Sequence, residues 1–115
     1  MASYEWTWHT GPELDPDKLY ALLSLRVAVF VVEQQCPYQE LDGHDLQAST
    51  HHLSVMTKHH LAATLRLKVP EERDKPVSIG RVVIDPDHRG NGLGYDLLQA
   101  ALMRIESLWP GRHAR

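Results

Sequence analysis

The apolar positions of this chain change period several times, and each change marks an element. Glu5-Trp6-Thr7-Trp8-His9 alternates as a half-buried strand does, with both indoles on one face. Gly11-Pro12 breaks that run. Asp15 can then cap a helix, Pro16 suits its first turn, and Asp17 favours the positive end of its dipole. Leu19, Leu22, Leu23, Val27 and Phe30 continue on one helical face, which predicts a helix over residues 16–31. Residues 33–50 are polar, with Pro37, Gly43, Glu40, Asp42 and Asp45, and predict a long loop. Leu53–Thr57 and Leu61–Val69 flank the short link 58–60 and predict a hairpin. Pro70–Pro76 is charged and turn-rich, and Val77–Ile84 is β-branched enough for a central strand. A final helix carries Leu97, Leu98, Ala101, Leu102, Ile105, Leu108 and Trp109, and stops at Pro110-Gly111. The order strand, helix, strand, strand, strand, helix is that of an α/β (α+β) layer with a mostly antiparallel sheet flanked by helices.

Composition narrows the function. At 115 residues the chain is one domain with room for a real core. Twelve Lys+Arg against 15 Asp+Glu leave a net charge of −3, which argues against a nucleic-acid protein with its basic stripe. Cys36 is the single cysteine, so no intramolecular disulfide forms and a reducing cytoplasm is expected. The N-terminus lacks the basic and apolar regions of a signal peptide. The longest apolar run, Val27–Val32, is far short of the ~20 residues that cross a bilayer. No membrane partner is expected.

The chemistry lies in the turn after Val82-Val83-Ile84. Gly90, Gly92 and Gly94 lead into a helix N-terminus, where amides without helical partners and the helix dipole favour an anion. The glycines remove side chains that would keep a phosphate at a distance, and they permit positive φ. Arg89 adds a charged donor. The Rossmann fingerprint fails, because Tyr95 or Leu97 falls where its third glycine belongs. A Walker A loop fails for want of its Lys-Ser/Thr pair. Arg89-Gly90-Asn91-Gly92-Leu93-Gly94 reads as R-x-x-G-x-G.

Arg81 through Gly94 resembles the acetyl-CoA-binding motif of the GNAT N-acetyltransferase superfamily. Upstream, Arg26 through Gln34, Cys36-Pro37-Tyr38-Gln39-Glu40-Leu41-Asp42-Gly43 and Asp45 resemble its ElaA-like branch. His52-Leu53 and Leu61–Leu67 fit the hairpin that follows, so the resemblance spans most of residues 20–105. It implies an acetyl group moved directly from acetyl-CoA, as cosubstrate, to an amine acceptor that is a small molecule or a peptide. Backbone groups of Val82, Val83 and Ile84 would meet the pantetheine arm. Amides of Arg89, Gly90, Asn91, Gly92, Leu93 and Gly94 would hold the pyrophosphate. A full GNAT domain continues with a fifth strand and a further helix, so residues 1–115 are expected to be the first two-thirds to three-quarters of one such domain, with a fold incomplete at the C-terminus. Strand 77–84 would then be an exposed edge that invites another chain, a second copy in a homodimer included. The alternative to an enzyme is a non-catalytic module that binds CoA or a partner.

Direct transfer needs a base for the ammonium and donors for the oxyanion. Glu33 is the candidate base or amine ligand, against a plain helix-end carboxylate paired with an arginine. Gln34, Tyr38, Asp42, Asp45 and His52 are the candidate acceptor contacts. His51-His52 and His59-His60 suggest a metal, but adjacent strand residues face opposite ways and no cysteine completes a zinc pattern, so no metal site is expected. Cys36, with no base beside it, reads as a small loop apolar residue.

Overall fold

In the computed structural model, which describes residues 4–35, 40–58 and 60–115, the first helix begins where its cap predicts. The Asp15 carboxylate accepts the Lys18 amide at 2.7 Å, and Pro16 opens α1, Pro16–Arg26. The expected single α-helix to residue 31 is corrected beyond Arg26. The chain widens there into a π-helix, Val27–Glu33, and the Gln34 amide donates to the Val29 carbonyl at 3.0 Å. Val27, Val29, Val31 and Val32 are β-branched, which crowds a normal helical turn, and the wider turn re-aims every side chain after it.

Four strands follow the order β1 (Glu5–Thr10), β2 (Thr50–Met56), β3 (Leu61–Lys68), β4 (Ser78–Ile84), each antiparallel to the next. The second strand starts at Thr50 rather than at the expected residue 53, so His51 and His52 are strand residues. They belong to it because Thr50 pairs with Lys68 at the far end of β3. Trp6 and Trp8 pair with Val55 and Leu53 on a common face, as the alternation predicts. Trp8 packs on the core, whereas Trp6 lies near the open end of the edge strand and is 36% exposed.

The two faces of the sheet differ. One carries Leu53, Val55, Ala63, Leu65, Leu67 and Val77 against Leu93, Leu97, Ala101 and Ile105 of α2, Leu93–Leu108. The other is smaller, with Val83 and Leu61 against Leu22, Leu25 and Val29, and it also carries buried His52, Thr64 and Arg66.

β4 holds the irregularity that matters most. Val83 faces Thr64 and Gly80 faces Arg66, so Arg81 and Val82 together oppose Leu65. This is a β-bulge. Val77, Ile79, Val82 and Ile84 therefore all meet the α2 core although the alternation slips by one residue between them. Arg81 sits at the slip with φ +50, a conformation costly for a residue with a Cβ. The start of this strand is not the open edge expected. Val77 pairs in parallel with Ala114, the Val77 and Ile79 amides donate to the His113 and Arg115 carbonyls at 2.9 and 3.1 Å, and Arg115 returns a bond to Val77 at 2.8 Å. Among the described residues no helix is long and apolar enough to cross a membrane.

Candidate functional site

The turn from β4 into α2 is built by its own short polar residues. Asp85 accepts the Asp87 amide at 2.9 Å over a single 3-10 turn, Pro86–His88. Gly90 and Gly92 then adopt φ of +85 and +83, and Asn91 Oδ1 accepts the Leu93 amide at 3.2 Å. Among the described residues the amides of Gly92, Gly94 and Tyr95 find no acceptor, as expected of a first helical turn. A Cβ at Gly94 would stand 3.4 Å from Ile84 Cδ1, an ordinary contact, so the head of the helix lies against the end of the strand. All of Val82, Val83, Ile84 and Arg89–Gly94 thus lie in one strand–turn–helix unit.

Glu33 joins this unit from the far end of the sequence. Arg89 Nη1 and Nη2 donate to Glu33 Oε1 and Oε2 at 2.9 and 2.8 Å, a two-bond fork, while Arg89 Nε donates to the Ile84 carbonyl at 3.0 Å. Hydrogen bonding from Arg89 holds the Glu33 carboxyl below its ordinary range, and the same pairing raises Arg89.

A second polar run reaches the turn from β1 and the β2–β3 link. Asn91 Nδ2 donates to Tyr4 Oη at 3.2 Å, Tyr4 Oη lies 3.0 Å from His88 Nδ1, and His88 Nε2 lies 2.9 Å from His60 Nε2. His60 Nδ1 in turn lies 3.3 Å from Thr57 Oγ1, so the run continues from Asn91 to the β2–β3 link. His51 and His52 go elsewhere. His51 Nδ1 lies 3.2 Å from Arg104 on the α2 face, and His52 donates from Nε2 to the Asp45 carbonyl at 2.9 Å on the other. Burial pushes both imidazoles down, toward the neutral form.

Behind the turn, on the α1 face, three arginines meet three carboxylates. Arg26 donates to Glu40 at 2.6 Å and to Asp45 at 2.7 Å. Arg66 bonds both oxygens of Asp42 and reaches Asp45 at 2.9 Å. Arg81, turned to this side by the bulge, donates to Glu40 at 2.5 Å. The Arg26 and Arg66 side chains are each 2% exposed. Hydrogen bonding from Arg66 holds Asp42 far below the carboxylate range. Burial pushes Asp45 up, but Arg26 and Arg66 together outweigh it and hold it low. Arg66 is likewise destabilised by burial and raised on balance by Asp42 and Asp45.

Asp42, Asp45 and His52 therefore come together, but around arginines rather than around an open pocket. Gln34 is exposed at the end of the π-helix, beside Glu33. Tyr38, Cys36 and His59 lie outside the described residues. Arg26, Arg66, Arg81, Tyr4, His60 and His88 were not singled out as site residues from sequence. One signal was present: Arg26 stands four residues after Leu22 and three before Val29, and a charge in a core-facing series marks a buried pair.

A protein-family model described as Acetyltransferase (GNAT) family matches residues 4–109. The chain belongs to that family. GNAT domains are acyltransferases, and the turn and strand described above lie within the matched region. Escherichia coli Protein ElaA is 40% identical over 108 residues, which is 94% of this chain and 71% of that protein. A UPF0039 protein of Mycobacterium tuberculosis is 48% identical over 97 residues, 81% of this chain and 61% of that one. The crystal structure of an acyl-CoA N-acyltransferase from Pseudomonas aeruginosa superposes with a TM-score of 0.92 at 47% identity, over 97% of this chain and 77% of that one. That of Escherichia coli ElaA gives 0.93 at 38%, over 97% and 76%. The mixed fold of antiparallel sheet and flanking helices is the GNAT fold of these neighbours.

Proposed function

We propose that the β4–α2 unit binds acetyl-CoA and that the acetyl group passes directly to an amine acceptor, without a covalent enzyme intermediate. The observation that carries this is the glycine turn: two left-handed glycines followed by amides without protein acceptors at the head of α2. Such a turn fits a pyrophosphate, by backbone N–H donation and the helix dipole. Val82, Val83 and Ile84 would lie along the pantetheine arm, and Arg89 beside the phosphates.

In the transfer, the neutral amine attacks the thioester carbonyl, the C–N bond forms, the C–S bond breaks, and the thiolate leaves and takes up a proton. The ammonium proton goes to a base or to solvent. This chain's part is to hold the thioester and to shape the acceptor side. Gln34 and Tyr38 are assigned to acceptor contact. Asp42, Asp45 and His52 are assigned to holding the loop that carries it, since the two carboxylates are committed to Arg26 and Arg66 and His52 Nε2 to a backbone carbonyl.

Calorimetric titration with CoA tests the assignment. Binding is expected for the wild-type chain and is expected to be lost in Gly92→Val, which cannot adopt φ +83 without strain. Failure of the wild type to bind, or unchanged binding in Gly92→Val, overturns it. Thiol release from acetyl-CoA in the presence of amines separates an enzyme from a module that binds CoA without turnover.

A further inference from the structure

We propose that Glu33 is a positioning residue that acts through Arg89 to fix the glycine turn, and that the π-helical end of α1 is what brings it there. This inference rests on the assignment of the turn to CoA.

Ahead of Leu93, the turn residues Arg89, Gly90, Asn91 and Gly92 are exposed. Beyond the adjoining residues, no heavy atom lies within 4 Å of where a Cβ would stand at Gly90 or Gly92, so that side of each glycine is open. Buried Leu93 fixes the turn's helix end to the α2 core, and polar bonds hold Asn91 and Arg89 on either side of Gly90. On one side, Asn91 is tied to Tyr4. On the other, Arg89 immediately precedes Gly90 and is held at three of its five N–H groups, two by Glu33 and one by the Ile84 carbonyl. A two-bond fork sets the plane of the guanidinium as well as its distance, and one N–H on each of Nη1 and Nη2 remains for an anion.

The fork exists because of the π-helix. Glu33 is the last residue of that stretch, and widening the turn rotates the side chains after Val27 about the helix axis. The same wide turn keeps Val29 buried in the α1 core. The arrangement does not suit a general base. Both carboxylate oxygens of Glu33 are engaged, and Arg89 favours the charged form, which weakens it as an acceptor for an ammonium proton.

The experiment is a double-mutant cycle read by CoA calorimetry on the wild-type chain, Glu33→Ala, Arg89→Ala and the double variant, with circular dichroism to confirm the fold of each. Loss of an exposed fork predicts CoA binding weaker by about threefold to fivefold in Glu33→Ala. Loss of a charged phosphate donor predicts a roughly tenfold or greater loss in Arg89→Ala. The decisive expectation is that the double variant binds no more weakly than Arg89→Ala alone, and that Glu33→Gln, which keeps one acceptor oxygen, is intermediate. Unchanged CoA affinity in Glu33→Ala overturns the inference, as does an equal loss in both backgrounds. So does a Glu33→Ala enzyme whose pH profile loses its acidic limb while its CoA affinity stays the same, the signature of a base. A wild-type chain that binds no CoA overturns the assignment of the turn itself, and is recognised because no variant then differs from it.

Discussion

Among the described residues, two sets of arginine–carboxylate contacts stand apart, and burial makes them different devices. Arg26, Arg66 and Arg81 with Glu40, Asp42 and Asp45 form a neutral cluster whose central side chains are nearly inaccessible. It ties α1, β3 and β4 to the loop that follows the π-helix. Arg89 and Glu33 form one fork with side chains 42% and 38% exposed. Buried charges must keep every partner, since the one left behind is stranded in a poor solvent, whereas exposed charges exchange partners with water at little cost. The first set is therefore scaffold. The second is free to respond to a ligand.

The sharpest way to break this contrast is Arg26→Ala. It leaves Glu40 and Asp45 short of a buried partner, and unfolding stability is expected to fall by about 3–5 kcal/mol, read as a lower urea midpoint. A midpoint unchanged from wild type would mean that the cluster is solvated and that the contrast fails. Gly11→Ala tests the same loop from outside the charges. A Cβ there would stand 2.3 Å from the Leu46 carbonyl carbon, so the loop must shift, at an expected cost of about 1–3 kcal/mol by the same measurement.

Acid should find the scaffold before it finds the fork. His51 and His52 are held below their ordinary 6.5 by burial, so between that value and their folded-state values the unfolded chain binds protons that the folded chain does not. Stability is thus fully present above about 6.5 and is lost as pH falls below it. A second loss begins below about 4, where unfolded aspartates protonate and Asp42 and Asp45 stay charged. Urea midpoints at pH 8, 7, 6 and 5 are expected to be level at first and then to fall. A midpoint that rises on acidification contradicts the neutral burial of these two histidines.

What could be read from sequence follows from which forces are local. The Asp15 cap, the alternation in β1 and β2, and the glycines at 90 and 92 each act within a few residues, so elements and turn were legible. The π-helix and the bulge at Arg81 were not, because both are compromises between a local pattern and a distant partner: Glu33 meets Arg89 across 56 positions, and Arg81 meets Glu40 across 41. Asp42 and Asp45 read as acceptor contacts for the same reason. Their arginines come from three other elements, and only a charge at a core-facing position hinted at them.

The smallest expected effect is also the one that isolates the fork as a ligand device. Exposed ion pairs gain little Coulomb energy in water and lose side-chain freedom when held in one geometry. Glu33→Ala and Arg89→Ala should therefore melt with the wild-type chain in the absence of ligand, in thermal scans at matched salt. Adding saturating CoA should separate them, because a ligand that binds only the folded state stabilises it by RT ln(1 + [L]/Kd), more for the tighter binder. The wild type should gain most, Glu33→Ala less, and Arg89→Ala least. Variants that already melt early without CoA would show that the fork is part of the scaffold, and the distinction between the two arginine clusters would reduce to one of exposure alone.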